Sequence, residues 1–369
     1  MINRQITDSI RQRLNKGKVI ILVGARQVGK TTLTNQLIAD YPAEQVFSIT
    51  GDDFETQRLT KMPASEIEAL IEPYTCILLD EAHKVNRIGD IVKALVDKYG
   101  DQKQIILTGS STIGLVDKTS EPLTGRKRVF ELYPLSTNEL ELYGEALRSR
   151  LPELLTYGLY PEVVNACDEI DKRDAILELA RSSLYRDVLD VTGARASGDL
   201  VALLRFLAQS IGETLSINEI SLKLSIDRRT IDRYIDLLAK SFIVFPLMPY
   251  SRSDSSLRRS YKVYFWDVGV RNAILEDFTP LEERSDTQAL FQNFVIAERM
   301  KNAHYRGDLT HYHFWRSYDG AEVDLVEIRN QAVHGLKLSY DGRYMRESKL
   351  FDKLEPTSYN EVTPDNLQF

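Results

Sequence analysis

The sequence lacks the features that mark secreted and membrane proteins. It has only two cysteines, Cys76 and Cys167, which are too few for a disulfide framework or a four-ligand zinc site. No apolar run reaches the roughly 18 residues that a membrane-spanning helix needs. The first residues also lack the basic and then apolar layout of a secretory signal. These absences predict a cytoplasmic protein with no membrane partner.

A net positive charge is also missing. The chain has 47 Lys and Arg residues against 54 Asp and Glu residues, and its formal net charge is −7. The surface as a whole therefore does not attract nucleic acid, although a basic face on one domain is compatible with this total. Internal repeats and low-complexity tracts are absent too.

The hydrophobic content is sufficient for a substantial core. Of 369 residues 43% are hydrophobic, and this length favours two or three domains. The first half alternates helical patterns with apolar runs of buried-strand length, at residues 19–23, 46–49, 76–79 and 105–107, and residues 128–132 are a candidate fifth strand. Such alternation predicts an α/β fold with a parallel sheet and helices on its faces.

A phosphate-binding loop follows the first apolar run. Residues 24–31 read Gly-Ala-Arg-Gln-Val-Gly-Lys-Thr and fit the pattern G-x-x-x-x-G-K-[ST]. Glycines let backbone N–H groups turn toward phosphate oxygens at a helix N-terminus, Lys30 reaches the β- and γ-phosphates, and the Thr31 hydroxyl ligates magnesium. We assign the nucleotide contacts of this loop to Gly24, Ala25, Arg26, Gln27, Val28, Gly29, Lys30, Thr31 and Thr32.

Two acids at the end of a later apolar run complete the predicted site. Asp80 is expected to hold magnesium, and Glu81 to polarise the attacking water as the catalytic base. His83 follows, but its spacing from Glu81 does not suit a metal ligand, so a surface or supporting role is expected. Magnesium and ATP are therefore the predicted cofactors.

Further polar residues follow the next two apolar segments. Thr108 or Ser110, at the end of residues 105–107, would sense the γ-phosphate if this strand lies between the two phosphate-site strands. A plain strand-end cap is the alternative for both. Arg126 stands on a Gly-containing loop and is the candidate for transition-state charge stabilisation, in its own subunit or in a neighbour's. A solvated loop arginine is the alternative there.

The nucleotide is expected to be ATP. A dinucleotide fold is excluded because the sequence has no G-x-G-x-x-G motif. No Asn-Lys-x-Asp signature for reading guanine is present either, which favours ATP over GTP.

The strand signal fades after residue 134. Residues 135–191 are mostly helical in pattern, with predicted breaks at Pro152 and near residues 158–161. Residues 199–250 show helix, helix, turn, helix and strand, the outline of a winged helix-turn-helix. A polar segment at 252–259 leads to a last α+β part.

A local basic excess accompanies the winged-helix pattern. Residues 223–262 hold nine Lys or Arg against four Asp or Glu. Arg228, Arg229 and Arg233 stand early on the third helix, where a recognition helix would face duplex DNA. A packing or lid role for the winged helix is the alternative, since fold alone does not establish function.

The ordered set of motifs resembles the prokaryotic AAA-like P-loop ATPases with a C-terminal DUF4143 domain. The segments that carry this resemblance are 24–33, 79–81, 107–111, 123–126, 132–136, 158–162 and 185–188. The resemblance covers nearly the whole chain. It implies a winged helix in the middle and a restriction-endonuclease-like fold at the C-terminus.

The resemblance also implies a degenerate nuclease site. The family pattern has a helix glutamate, a Glu-Val-Asp strand and a following Glu-x-Lys strand, which correspond here to Glu298, Asp324 and Lys337. Gly335 stands where the second acid belongs. A magnesium site without that carboxylate binds the ion poorly, so remnants or structural ion pairs are expected.

These observations predict four parts: a P-loop ATPase core at 1–134, a helical appendage at 135–198, a winged helix at 199–250 and a degenerate nuclease-like domain at 251–369. The predicted function is magnesium-dependent ATP binding and hydrolysis that acts as a nucleotide-controlled switch, with duplex DNA as a candidate partner and a homo-oligomer as a candidate state. Two alternatives stay open. One is a DNA-binding regulator with ATP as a ligand only, and the other is an ATP-dependent nuclease, which Gly335 disfavours.

Overall fold

A computed structural model describes most of the chain. The described residues are 2–53, 56–110, 112, 115, 116, 118–192, 197–250, 260–317, 320–342 and 351–369. The predicted polar segment 252–259 and Ser111 lie outside them, as do the side chains of the motif at 185–188. The fold divides into two compact units, Met1–Tyr133 with Lys240–Phe242, and Pro134–Ala239 with Ile243–Phe369.

The first unit contains a five-stranded sheet. Its strands are β1 (Val19–Val23), β2 (Val46–Thr50), β3 (Cys76–Asp80), β4 (Gln104–Gly109) and β5 (Lys127–Glu131). Its helices are α1 (Ile6–Arg11), α2 (Lys30–Ile38), α3 (Ala64–Ile71), α4 (Ile88–Tyr99) and α5 (Lys118–Ser120). All strand pairs are parallel, in the order β2-β3-β4-β1-β5, which confirms the predicted parallel sheet.

The sheet brings three strand ends to one edge. β1 is buried along its whole length, as its uninterrupted apolar run predicts for a strand with neighbours on both sides. Val23 pairs with Gly109 of β4, and Leu79 of β3 pairs with Leu107. Because β4 lies between β1 and β3, its end separates the loop after β1 from the acids at the end of β3.

The second unit contains eight helices among the described residues. They are α6 (Gly144–Tyr157), α7 (Pro161–Asn165), α8 (Glu169–Thr192), α9 (Ser197–Gln209), α10 (Ile217–Leu224), α11 (Arg228–Lys240), α12 (Val268–Leu275) and α13 (Thr287–Arg306). No described helix of the protein is long and apolar enough to cross a membrane.

A seven-stranded mixed sheet joins the middle and the C-terminal part. Its strands are β6 (Leu215–Ser216), β7 (Val244–Pro249), β8 (Ser260–Phe265), β9 (Thr310–Arg316), β10 (Glu322–Arg329), β11 (Ala332–Leu338) and β12 (Ser358–Val362). Their order is β12-β11-β10-β9-β7-β8-β6. The predicted boundary between residues 250 and 251 therefore falls between β7 and β8, which pair in one sheet. The four-part division and the winged helix remain predictions.

Pro152 does not break its helix, so that prediction was wrong. α6 continues through the proline to Tyr157. Leu151, Leu154 and Leu155 are fully buried, and their burial outweighs the one backbone hydrogen bond that a proline removes. The predicted second break is present, because α6 ends just before Gly158.

The second unit has an acid-sensitive charge cluster. Asp286 lies 2.6 Å from Arg271 Nη1 and 2.8 Å from Arg284 Nε, and both arginines are almost fully buried. Burial alone would raise the pKa of Asp286, but hydrogen bonds and charge from Arg284 and Arg271 outweigh it and lower the pKa to about 2. The ion cluster therefore stabilises the folded state above pH ~4 and loses that contribution as pH falls through about 2.

We expect Asp286→Asn to lower the free energy of unfolding by about 2 kcal/mol at neutral pH, and the difference from wild type to disappear near pH 2. Urea unfolding followed by tryptophan fluorescence measures this, because both tryptophans, Trp266 and Trp315, belong to the second unit. Asp308→Asn, which removes an exposed ion pair, is the control and should change little. A constant difference between pH 7 and pH 2 contradicts the expectation.

Candidate functional site

The loop between β1 and α2 needs both of its motif glycines. A Cβ on Gly24 would lie 2.1 Å from the carbonyl oxygen of Leu132, so no side chain fits there. Gly29 has a φ of +99° at the N-terminus of α2, in the left-handed region that other residues rarely adopt. The loop is also anchored at its start, because the Gly24 N–H donates to the Gly109 carbonyl at 3.3 Å.

Lys30 lies across the start of the loop. Its side chain is 5% exposed, and Nζ donates to the carbonyl oxygens of Gly24 at 2.9 Å and of Ala25 at 2.8 Å. These bonds satisfy a buried ammonium group and place one positive charge beside the loop backbone. A bound phosphate would offer the same ammonium group a charged acceptor.

The structure brings together Thr31, Asp80 and Thr108 from three separate elements. Thr31 Oγ1 donates to Asp80 Oδ2 at 3.0 Å. The Thr108 hydroxyl donates to Asp80 Oδ1 and accepts the Glu81 N–H at 3.0 Å. Thr108 therefore orients the carboxylate and the next peptide at once. A hydroxyl and a carboxylate are the hard oxygen ligands that magnesium takes, so Thr31 and Asp80 fit the ion.

Glu81 is held in an unusual backbone conformation. Its φ is +47°, and a Cβ on Gly51 would lie 2.3 Å from the Glu81 carbonyl oxygen. Burial raises the pKa of Glu81; the charges of Lys30 and Arg26 oppose this increase, and that of Asp80 adds to it. A carboxylate with a raised pKa is a better proton acceptor near neutral pH.

His83 is closer to the candidate base than the sequence suggested. Its Nδ1 lies 3.2 Å from Glu81 Oε2, and both side chains are about one-fifth exposed (18% and 19%). The short helix Ala82–Lys84 follows Glu81 and turns the histidine back toward it. The sequence offered no clear signal of this approach of His83 to Glu81, because no motif marks the short turn between them.

The remaining loop residues differ in what they present. Ala25 and Val28 are buried, so they can contribute only through their backbone. Gln27 has a φ of +58°, and Thr32 is exposed. Ser110 is buried immediately after β4. Their predicted contacts with nucleotide, and that of Arg26, remain predictions.

Arg126 lies away from this site in its own chain. Its carbonyl accepts the Val19 N–H at 2.9 Å, so it stands at the beginning of β1 and β5, whereas the loop follows the end of β1. A five-residue strand spans about 16 Å. The Arg126 guanidinium pairs with Asp97 instead, and this bond raises its pKa. This position argues against transition-state stabilisation by Arg126 in its own subunit, and such a role in a neighbouring subunit stays a prediction.

The three arginines assigned to DNA share α11 with acids. Arg228, Arg229 and Arg233 are exposed, but so are Asp232 and Asp236 on the same helix. The exposed face of α11 is therefore mixed in charge among the described residues. DNA contact through these arginines remains a prediction.

The predicted nuclease acids lie in two separate ion pairs. Glu298 is buried, 2.8 Å from Lys301 Nζ, and accepts the Thr137 N–H at 2.7 Å. Asp324 lies 3.1 Å from Lys337 Nζ, and the α13 side chain that reaches it is Gln292, at 3.1 Å.

These positions do not form a magnesium site. A Cβ on Gly335 would lie 2.5 Å from Phe351 and 2.8 Å from Tyr359, so an acid there would enter an aromatic cluster. Among the described residues no group of three His, Cys, Asp or Glu could hold a metal ion. The donor set near Asp324 therefore does not fit the ion.

Comparison with known proteins gives three domain matches. Residues 16–141 match an AAA domain, 148–281 a domain of unknown function (DUF8612), and 287–358 a second one (DUF4143). The chain thus carries an AAA domain and a C-terminal DUF4143 domain, which confirms the resemblance seen in the motifs. The DUF8612 match spans the predicted boundaries at 198/199 and 250/251.

Relatives that align with most of the chain are named only as uncharacterized proteins. One from Mycobacterium tuberculosis is 27% identical over 340 residues, covering 91% of this chain and 73% of its own length. One from Haemophilus influenzae is 28% identical over 350 residues, covering 87% and 82%. AMPPCP-bound DnaA from Aquifex aeolicus aligns with 64% of this chain and 86% of its own at 16% identity, but its TM-score of 0.28 supports no argument.

Proposed function

Starting from a chain that joins an AAA domain to a DUF4143 domain, we propose that the protein binds magnesium–ATP at residues 24–31 and hydrolyses it. One observation carries this proposal: Thr31 Oγ1 and Asp80 Oδ2 lie 3.0 Å apart although 49 positions separate them in the sequence. A hydroxyl directly after the loop lysine and a carboxylate at the end of β3 are the two protein ligands that a magnesium–nucleotide complex takes in P-loop enzymes.

Each residue has a separate task. Loop N–H groups and Lys30 bind the phosphate oxygens and offset the charge that develops on them. Thr31 and Asp80 would hold magnesium, which neutralises phosphate charge when bound. Glu81 accepts a proton from the attacking water, and the Thr108 hydroxyl orients the Asp80 carboxylate and the backbone N–H of Glu81.

The proposal also includes a nucleotide-controlled switch. Asp80, Thr108 and Glu81 form one hydrogen-bonded chain, so a change in the ligands of Asp80 alters the bonds that fix Glu81. Association with duplex DNA rests on the basic excess of residues 223–262 alone. Duplex affinity measured over a range of salt concentrations decides that point.

Replacing Asp80 tests the metal ligands directly. We expect Asp80→Asn to raise the magnesium concentration needed for half-maximal phosphate release by roughly tenfold or more, because a neutral amide is a weaker ligand than a carboxylate. Asp97→Asn is the matched control, since Asp97 is an exposed carboxylate paired with Arg126 at the other edge of the sheet. Equal magnesium dependence in the two variants contradicts the assignment.

A further inference from the structure

A buried arginine near the N-terminus binds the phosphate loop from outside the matched AAA domain. Arg4 precedes residue 16, where that match begins. Its side chain is 5% exposed. Nη1 donates to the Val28 carbonyl at 2.6 Å, and Nη2 donates to the Tyr133 carbonyl at 2.7 Å. One guanidinium group thus bridges the loop and the segment that follows β5, both within the first unit.

The bond to Val28 fixes the orientation of a loop peptide. In a trans peptide the C=O and the next N–H point in opposite directions. When Arg4 holds the Val28 carbonyl on one side, the Gly29 N–H is therefore directed to the other side. In a phosphate loop the N–H before the lysine is one of the groups that face the phosphates.

Gly29 makes this restraint necessary. With a φ of +99° and no Cβ, it lets the Val28–Gly29 peptide rotate at little cost. A rotated peptide would direct a carbonyl oxygen toward the phosphate and repel it. A Cβ added to Gly29 would have Arg4 Nη1 as its nearest neighbour, at 3.6 Å, so the arginine lies directly against this peptide.

The second bond ties both ends of the loop to one short segment. Leu132 donates its N–H to the Val23 carbonyl at 2.8 Å, and its own carbonyl lies against Gly24. Tyr133, the next residue, is held to Val28 through Arg4. The start of the loop is therefore held by Leu132, and its Val28 carbonyl is held, through Arg4, by the next residue, Tyr133.

We infer that Arg4 is a positioning residue of the nucleotide site, which keeps the Val28–Gly29 peptide in the orientation that binds phosphate. This inference rests on the proposed function. In this role Arg4 acts through the backbone of Val28 and Gly29.

The test compares Arg4→Ala and Arg4→Lys with Arg11→Ala, an exposed α1 arginine paired with Asp40. Calorimetric titration with magnesium–ATP is expected to show roughly tenfold or greater loss of affinity for Arg4→Ala, because the apparent affinity falls with the fraction of molecules that keep the Val28–Gly29 peptide in its phosphate-binding orientation. Arg4→Lys should keep part of the affinity, because one ammonium group replaces only one of the two bonds. Arg11→Ala should bind as wild type does.

Rescue separates positioning from general stability. Methylguanidinium added to Arg4→Ala should restore part of the ATP affinity. Compared with wild type, Arg4→Ala should change the KM for ATP more than kcat. If folded Arg4→Ala or Arg4→Lys binds ATP with wild-type affinity, the inference about Arg4 is overturned and the proposed function is not. A loss of ATP affinity that methylguanidinium leaves unchanged overturns the inference in the same way. If Arg4→Ala does not fold, Arg4→Lys decides. Absence of binding heat in wild type overturns the proposed function together with the inference.

Discussion

Glu81→Gln is expected to stop ATP turnover while leaving the binding of magnesium–ATP intact. The amide keeps the size of the carboxyl group but cannot accept a proton from water, and loss of a general base typically costs about 10²–10⁴ in rate. We therefore expect kcat to fall by about 100-fold or more. Because burial already raises the pKa of Glu81, the neutral amide should not destabilise the fold.

Phosphate release under saturating ATP measures this, with calorimetry to confirm binding. Glu44→Gln is the control, because Glu44 is exposed in the turn before β2 and is expected to leave the rate unchanged. Undiminished turnover in Glu81→Gln removes this residue from the mechanism. Loss of binding in the same variant points to a role in holding the nucleotide instead.

Lys30→Ala is expected to abolish measurable binding of magnesium–ATP. The ammonium group lies against the loop backbone at Gly24 and Ala25, and charge-assisted bonds of about 1.5–3 kcal/mol each account for a loss of about 100-fold or more. Thermal unfolding without nucleotide should show that the variant is folded, although Gly24 and Ala25 lose a hydrogen-bond donor.

Lys16→Ala is the control for this second result, since Lys16 is an exposed lysine of the same unit. It should bind magnesium–ATP with wild-type affinity. Tight binding by Lys30→Ala contradicts the assignment of residues 24–31 as the phosphate site, and every role proposed for Thr31, Asp80 and Glu81 would then need another basis.

The arrangement of the central sheet could be predicted because its signal is local. β1, β3 and β4 each contain a continuous apolar run, and parallel strands bring their carboxyl ends to one edge. The approach of Thr31 to Asp80 follows from that rule and from the motif spacing. The same rule places Arg126 at the far edge, because it precedes a strand parallel to β1.

Other contacts could not be predicted because their partners are distant in sequence. Glu298 bonds to Thr137 across 161 positions, and no pattern near either residue indicates the pair. Arg4 binds two backbone carbonyls, which every residue has, so the sequence carries no mark of its targets. Pro152 shows a third limit, since a local helix breaker is overridden by the burial of its neighbours.

The position of Leu132 and Tyr133 has a mechanical implication. These two residues hold both ends of the phosphate loop, and the next residue, Pro134, begins the second unit. A rotation of the Val28–Gly29 peptide therefore pulls on the last peptide bond of the first unit through Arg4. Because Pro134 has no N–H, the Tyr133 carbonyl is the only polar group of that peptide bond, and Arg4 Nη2 is a hydrogen-bond donor to it.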